Sequence, residues 1–157
     1  MLAALACSWL GDVLLIPLER PNVFRAGVLA FGLAHVAYIA AFVTRGLEPT
    51  RMALAAALTA LALVFAIPWL RPRVPAELRL SVYGYMAILS AMLVTGAGAS
   101  GADPAIFAGA ALFAVSDLTV ARDRFVAPGF ANGVIGPPLY FAAQLVLAAT
   151  VGVSSAG

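Results

Sequence analysis

The sequence has no lysine, one cysteine and one histidine, and it is poor in charge of either sign. Each shortage excludes something. A lone cysteine, Cys7, cannot close an intrachain disulfide and reads as a small packing residue in a helix. One histidine and one cysteine are too few for an ordinary zinc site, so no metal or other cofactor is expected. The glycine-rich run Gly96–Gly101 lacks the Lys-Ser/Thr pair that follows a phosphate-binding loop. The basic residues are all arginine and lie scattered at segment ends, unlike the basic stripe of a nucleic-acid surface, so no nucleic-acid partner is expected. Charged residues are 10% of the chain, against about 25% in soluble domains.

Apolar residues fill the gap: 64% of the 157 residues are hydrophobic, and the mean hydropathy is +1.04. A chain of this length buries roughly 70% of its unfolded surface on folding. The remainder is too apolar to face water, so lipid must cover it. Polar punctuation divides the chain into six expected spans, at Leu2–Leu18, Val23–Thr44, Met52–Leu70, Leu80–Thr95, Pro104–Ala121 and Leu139–Val153. Gly96–Asp103 is expected as a loop and Arg122–Pro138 as the longest connection. The N-terminus lacks the basic region of a signal peptide.

Inside lipid, backbone groups must pair internally, which leaves helices or a closed barrel. Runs such as Met52–Leu70 show no dyad alternation and are rich in Ala and Leu, which favour helix. The expected fold class is all-α: a polytopic transmembrane helix bundle of about six spans, forming one domain over residues 1–157. Arg20, Arg25, Arg71, Arg73, Arg79, Arg122 and Arg124 lie in or beside the first, third and fifth connections, whereas the second and fourth hold Arg45 and Arg51. The arginine-rich set is expected to face the cytoplasm, with both termini on the outer side.

Ionisable groups within spans cost on the order of 2.5–3.5 kcal/mol on insertion scales and are candidates for function. Asp12, His35 and Asp117 qualify, accompanied by Ser8, Tyr38, Tyr83, Tyr85, Ser116, Tyr140 and Gln144. Counted from the nearest arginine or segment end, Asp12, Asp117, Tyr83 and Gln144 fall near one depth on the arginine side, and His35 lies deeper. Ser8 with Asp12, His35 with Tyr38, and Tyr140 with Gln144 are spaced to share helix faces. The bland alternatives are interhelical glue for a single aspartate, an interface belt for Tyr83 and especially Tyr85, and a bond back to its own helix for Ser116.

Four stretches carry a family resemblance: Ser8-Trp9-Leu10-Gly11-Asp12, the run Phe31–Tyr38 with His35, the run Gly109–Asp117 ending Ser116-Asp117, and Tyr140-Phe141-Ala142-Ala143-Gln144. In their residues and their order along the chain they resemble the YhhN-like lysoplasmalogenase family of membrane proteins, with Val82-Tyr83 at a weaker family position. That family typically has eight spans, two of them before the Ser-x-x-Gly-Asp helix, and a Lys-Pro pair that has no counterpart in this lysine-free chain. The resemblance implies hydrolysis of the vinyl ether bond of lysoplasmalogens, yielding a fatty aldehyde and glycerophospho-ethanolamine or -choline. It implies Asp12 and Asp117 as the catalytic pair. Ser8, His35, Tyr38, Tyr83, Ser116, Tyr140 and Gln144 are the expected substrate-binding set. A membrane lipid is the expected partner, and a bacterial inner membrane the expected location.

The residue types suit that chemistry. Protonating the β-carbon of a vinyl ether makes an oxocarbenium-like cation, which water attacks, and glycosidases meet a related cation with two carboxyl groups. Two neighbouring carboxyl groups at low dielectric divide the acid and base roles between them. Two other readings compete: a proton-coupled carrier, which also uses intramembrane Asp and His, and a non-catalytic lipid-binding protein.

Overall fold

A computed structural model describes residues 1–16 and 20–151. The regular elements among them are all helical. Three helices begin on a proline: α2 (Pro21–Val43), α3 (Pro49–Leu70) and α5 (Pro104–Phe125). Proline suits this place because the first-turn N–H has no helical partner and the ring presets φ. Asp103 caps α5 by accepting from the Ala105 N–H at 2.9 Å. The others are α1 (Leu2–Leu15), α4 (Arg79–Ala99), entered through a short 3-10 turn at Ala76–Leu78, and α6 (Phe130–Ala149).

All but α1 are long and apolar enough to cross a membrane. The 14 residues of α1 rise roughly 21 Å, less than a hydrocarbon core of about 30 Å. The expected end of that span, at Pro17 and Leu18, lies outside the described residues, as do Gly152 and Val153 of the last one.

Two boundaries differ from expectation for the same reason, helix continuing through residues that read as breakers. Gly96–Ala99 is the last turn of α4 rather than a loop. A Cβ on Gly96 would fall 3.2 Å from Ala110, and one on Gly98 would meet Met52 at 2.6 Å. These glycines are packing surfaces, which in lipid replace the hydrophobic drive between helices. The connection expected over Arg122–Pro138 shrinks to Val126–Gly129. The last turn of α5 carries Arg122 and Arg124, which suit its negative end. Pro137 and Pro138 sit inside α6 and leave the carbonyls of Gly133 and Val134 without their usual i+4 donors, a loss that transmembrane helices tolerate.

Helix α4 is central, packed on α2, α3 and α5, while α1 flanks α2 and α6 flanks α5. Tyr38, Phe42, Met92, Ile106, Phe113 and Leu147 form the main core. Leu54, Leu58, Leu61, Val64 and Phe65 of α3 are exposed, as a lipid-facing surface requires. A second cluster, Phe24, Leu70, Val74, Leu78 and Val82, seals the arginine-rich end. There Arg25 donates to the Glu77 carbonyl at 2.7 Å, and the Phe24 and Phe125 rings meet edge to face. At the opposite end Arg51 binds Glu48 and the Ser100 hydroxyl, and Arg45 donates to the Thr150 carbonyl at 2.9 Å. The first, third and fifth connections thus share one end of the bundle.

Candidate functional site

Asp12 is held from α6. Tyr140 donates its hydroxyl proton to Asp12 Oδ2 at 2.7 Å and accepts from Gln144 Nε2 at 3.1 Å. Gln144 Oε1 in turn accepts from the Tyr38 hydroxyl at 2.5 Å. Every proton in this line is committed in one direction, from Tyr38 on α2 to Asp12 on α1. Tyr140 and Gln144 lie one turn apart, so a single helix face spans both partners.

Asp117 is held from α4. Tyr85 donates to Asp117 Oδ2 at 2.6 Å. Its one proton being spent, the Tyr85 oxygen accepts from His35 Nε2 at 2.9 Å, which fixes the tautomer with the proton on Nε2. His35 Nε2 lies 3.6 Å from Asp117 Oδ2 and the ring is fully buried. His35 Nδ1 and the buried Ser8 hydroxyl have no hydrogen-bond partner among the described residues. Gly11 seats the Phe31 ring and Leu15 sits on Gly27, and this antiparallel register brings Ser8 alongside Ala34 and His35.

Phe113 divides the two lines. It is fully buried, with its ring 4.7 Å from that of His35 and 5.3 Å from that of Tyr140, edge to face with both. Phe31 closes on Phe113 and Tyr140 from α2 at 6.3 and 5.9 Å. This aromatic wedge keeps the two hydrogen-bonded lines separate while both carboxyl groups open into one space.

That space is a cavity of about 730 Å³, with Asp12, Asp117, Tyr85, Tyr140 and Ser116 in its wall. The volume lies in the usual range for a small-molecule site, roughly 300–1,000 Å³. Leu15, Val28, Leu70, Met86 and Leu89 make much of the wall apolar. Trp9 and Phe141 belong both to the wall and to the outer surface, at 68% and 60% exposed. Each aspartate engages a tyrosine through Oδ2, and among the described residues Oδ1 takes no hydrogen bond. Two separate carboxyl groups therefore line one largely apolar space, an arrangement able to give a proton and stabilise a cation.

Of the substrate-binding residues read from the sequence, Ser116 and Tyr140 reach the wall. Ser116 spends its proton on the Gly136 carbonyl at 3.0 Å, bridging α5 to α6 rather than bonding back to its own helix. His35, Tyr38 and Gln144 stand behind the wall, orienting its tyrosines. His35 Nε2 comes within 3.6 Å of Asp117 Oδ2, and the bonded pair Tyr38 and Gln144 lies about one helical turn beyond His35 and Tyr140. Ser8 is buried beside α2, and Tyr83 packs against the arginine-end cluster with its hydroxyl buried and without a hydrogen-bond partner among the described residues. The interface-belt reading of Tyr85 is corrected: residues two apart on a helix point to opposite sides, and Tyr85 is the one that faces α2 and α5. Asp123, Arg124 and Asn132 also line the cavity and were not singled out as site residues. They lay in a stretch expected to be a connection. No cluster of three or more His, Cys, Asp or Glu able to hold a metal occurs among the described residues.

The family model described as the YhhN family matches residues 1–151. The chain is similar to the lysoplasmalogenase TMEM86B of Sus scrofa, 32% identical over 151 residues covering 94% of this chain and 61% of the relative. It is similar to the lysoplasmalogenase TMEM86B of Homo sapiens, 34% identical over 144 residues covering 92% and 59%. It is also similar to the lysoplasmalogenase TMEM86A of Bos taurus, 30% identical over 148 residues covering 92% and 61%. The chain spans about three fifths of the length of these curated relatives. No solved structure matches.

Proposed function

The chain belongs to the YhhN family and is an integral membrane protein, and from that premise we propose that it is a hydrolase of the vinyl ether bond of lysoplasmalogens, with Asp12 and Asp117 as the reacting pair. The observation that carries this reading is that these two carboxyl groups, brought from α1 and α5, line one cavity in a lipid-facing bundle. Each is aimed by its own tyrosine. The relatives named as lysoplasmalogenases support the same substrate class.

One carboxyl group gives a proton to the β-carbon of the vinyl ether, leaving a cation shared between the α-carbon and the ether oxygen. The other, as carboxylate, stabilises that cation and takes a proton from the water whose oxygen bonds to the α-carbon. The hemiacetal then collapses: the second carboxyl group gives its proton to the departing glycerol oxygen, the first takes the proton of the hemiacetal hydroxyl, and the C–O bond to glycerol breaks as the remaining carbon becomes the aldehyde. One water is consumed and both carboxyl groups return to their starting states. A nearly apolar wall strengthens each of these charge interactions relative to water.

The hydrocarbon chain lies along the apolar wall and meets the bilayer between Trp9 and Phe141, where the lining is also the outer surface. The arginine-rich end faces the cytoplasm of a bacterial inner membrane in this reading. The test is aldehyde release by purified protein in detergent from a vinyl-ether lysophospholipid, with the saturated alkyl-ether analogue as control. Aldehyde from the vinyl ether alone is the expected result. No aldehyde from protein shown to be folded removes the hydrolase reading for this chain.

A further inference from the structure

At the arginine-rich end the cavity changes character, from apolar wall to Asp123, Arg124, Asn132 and Gly133. We propose that this end is a binding site for a zwitterionic phosphodiester head group, with the phosphate on Arg124 and the amine between Asp123 and the Gly133 carbonyl. The proposal rests on the hydrolase reading for its biological meaning, and on the geometry of this end of the cavity for its content.

Arg124 differs from neighbouring arginines in what its guanidinium does. Arg25 donates to the Glu77 carbonyl, Arg79 to the Val74 carbonyl and Arg122 to Asn132 Oδ1. Arg124 stacks over the Phe24 ring, 5.0 Å from its centroid, and makes no hydrogen bond or ion pair among the described residues. Stacking fixes the plane of the guanidinium while leaving its N–H edge to make the paired bonds that phosphate oxygens accept.

The acceptor side is built as firmly. Asp123 Oδ1 accepts from Asn132 Nδ2 at 2.9 Å and from the Gly129 N–H at 3.0 Å. The other Nδ2 proton of Asn132 goes to the Ala127 carbonyl at 2.8 Å, so a buried amide holds the whole α5–α6 turn. Among the described residues Oδ2 of Asp123 takes no hydrogen bond and is left for another donor. The Gly133 carbonyl has lost its helical donor, because residue 137 is a proline with no N–H. A fixed carboxylate oxygen and a freed carbonyl beside a cation suit an amine four or five atoms from a phosphate.

The spacing matches a lysolipid. Arg124 is seven residues after Asp117, two turns on nearly the same face and roughly 10 Å along the axis, and its guanidinium lies on Phe24, which lines the same cavity. From the ether oxygen of a glycerophospholipid to phosphorus is a run of single bonds reaching roughly 6 Å when extended. A vinyl ether beside Asp117 therefore brings its phosphate to Arg124.

The experiment uses a saturated alkyl-ether lysophosphoethanolamine, which has no vinyl ether to cleave. Its binding to the detergent-purified full chain is followed by tryptophan fluorescence, Trp9 being in the cavity wall. Alkylglycerol, which lacks phosphate, and alkyl lysophosphatidate, which lacks the amine, are run beside it. The expected result is binding of the phosphoethanolamine lipid at least tenfold tighter than alkylglycerol. Arg124→Gln removes most of that difference, Arg124→Lys keeps part of it, and Asp123→Asn abolishes the preference over lysophosphatidate. Arg71→Gln, removing an exposed arginine outside the cavity at the same end, leaves all three affinities as they were. Free inorganic phosphate and glycerophosphoethanolamine, added as competitors, separate a head-group site from a simple anion site, and only the second should compete. Unchanged affinities in Arg124→Gln, or equal competition by inorganic phosphate, overturn the proposal. Because the probe is not hydrolysed, these outcomes stand apart from whether aldehyde is released.

Discussion

Tyr85 on α4 donates its single hydroxyl proton to Asp117 on α5 at 2.6 Å. The bond ties the central helix to a carboxyl group of the cavity wall, and it makes the tyrosine oxygen an acceptor for His35 at 2.9 Å. Tyr85→Phe removes both bonds together, leaving His35 Nε2 with no acceptor nearer than Asp117 Oδ2 at 3.6 Å. Turnover of a vinyl-ether lysophospholipid is expected to fall by about 10- to 100-fold, the scale of losing one aligned charge-assisted bond. Tyr83→Phe removes a hydroxyl that is already buried without a partner, so thermal stability in detergent should hold or rise. A larger activity loss in Tyr83→Phe than in Tyr85→Phe defeats this assignment.

Asp12→Asn and Asp117→Asn keep the shape of each side chain and its acceptor oxygen for Tyr140 or Tyr85. What they remove is the ability to give or take a proton. Each is expected to lower aldehyde release by at least about a thousandfold, with thermal unfolding close to that of the parent, as for groups that act as a unit. The double variant should be little worse than either single one. Near-parental turnover in either single variant excludes the two-carboxylate mechanism.

The apolar spans and the cost of charge in lipid made the helical class and the three ionisable candidates readable in the sequence, because both follow from composition and local spacing. What was not readable depended on contacts between helices. Tyr83 and Tyr85 look alike in sequence, and only the packing of α4 between α2 and α5 decides which faces inward. Pro137 and Pro138 read as the end of a connection, yet α6 runs through them, since transmembrane helices tolerate interior proline. That misreading hid Asp123 and Asn132, whose bond closes the α5–α6 turn at 2.9 Å. Phe113 lay within a quoted motif, but its part as a divider needs His35 and Tyr140 on either side of it.

The line from Tyr38 to Asp12 carries a prediction about stability and activity together. Gln144→Leu leaves the Tyr38 hydroxyl, at 1% exposure, with no acceptor and takes the donor from Tyr140. An unsatisfied buried hydroxyl costs about 1–3 kcal/mol. Combining it with Tyr38→Phe removes the orphaned group, so the double variant should recover thermal stability relative to Gln144→Leu alone. Activity should not recover with it, because Tyr140 still lacks the bond that aims it at Asp12. Recovery of both would mean that Gln144 serves packing alone.

Gly11 precedes Asp12, and its role is to let α1 reach α2. A Cβ at this position would fall 2.5 Å from the Phe31 ring, far inside van der Waals contact. Phe31 cannot simply turn away, because it packs edge to face on Phe113 and Tyr140. Gly11→Ala must therefore either push α1 outward or displace the aromatic wedge, and overpacking of this kind costs about 1–3 kcal/mol. Either response moves Asp12 relative to Tyr140, so lowered thermal stability should come with lowered turnover. Gly84→Ala is the control, since nothing lies within 4 Å of a Cβ there, and helix propensity alone favours alanine by up to about 1 kcal/mol. Parental stability and turnover in Gly11→Ala would show that α1 is free to shift without disturbing the site, and the tight seat of Gly11 on Phe31 would then have no part in the chemistry.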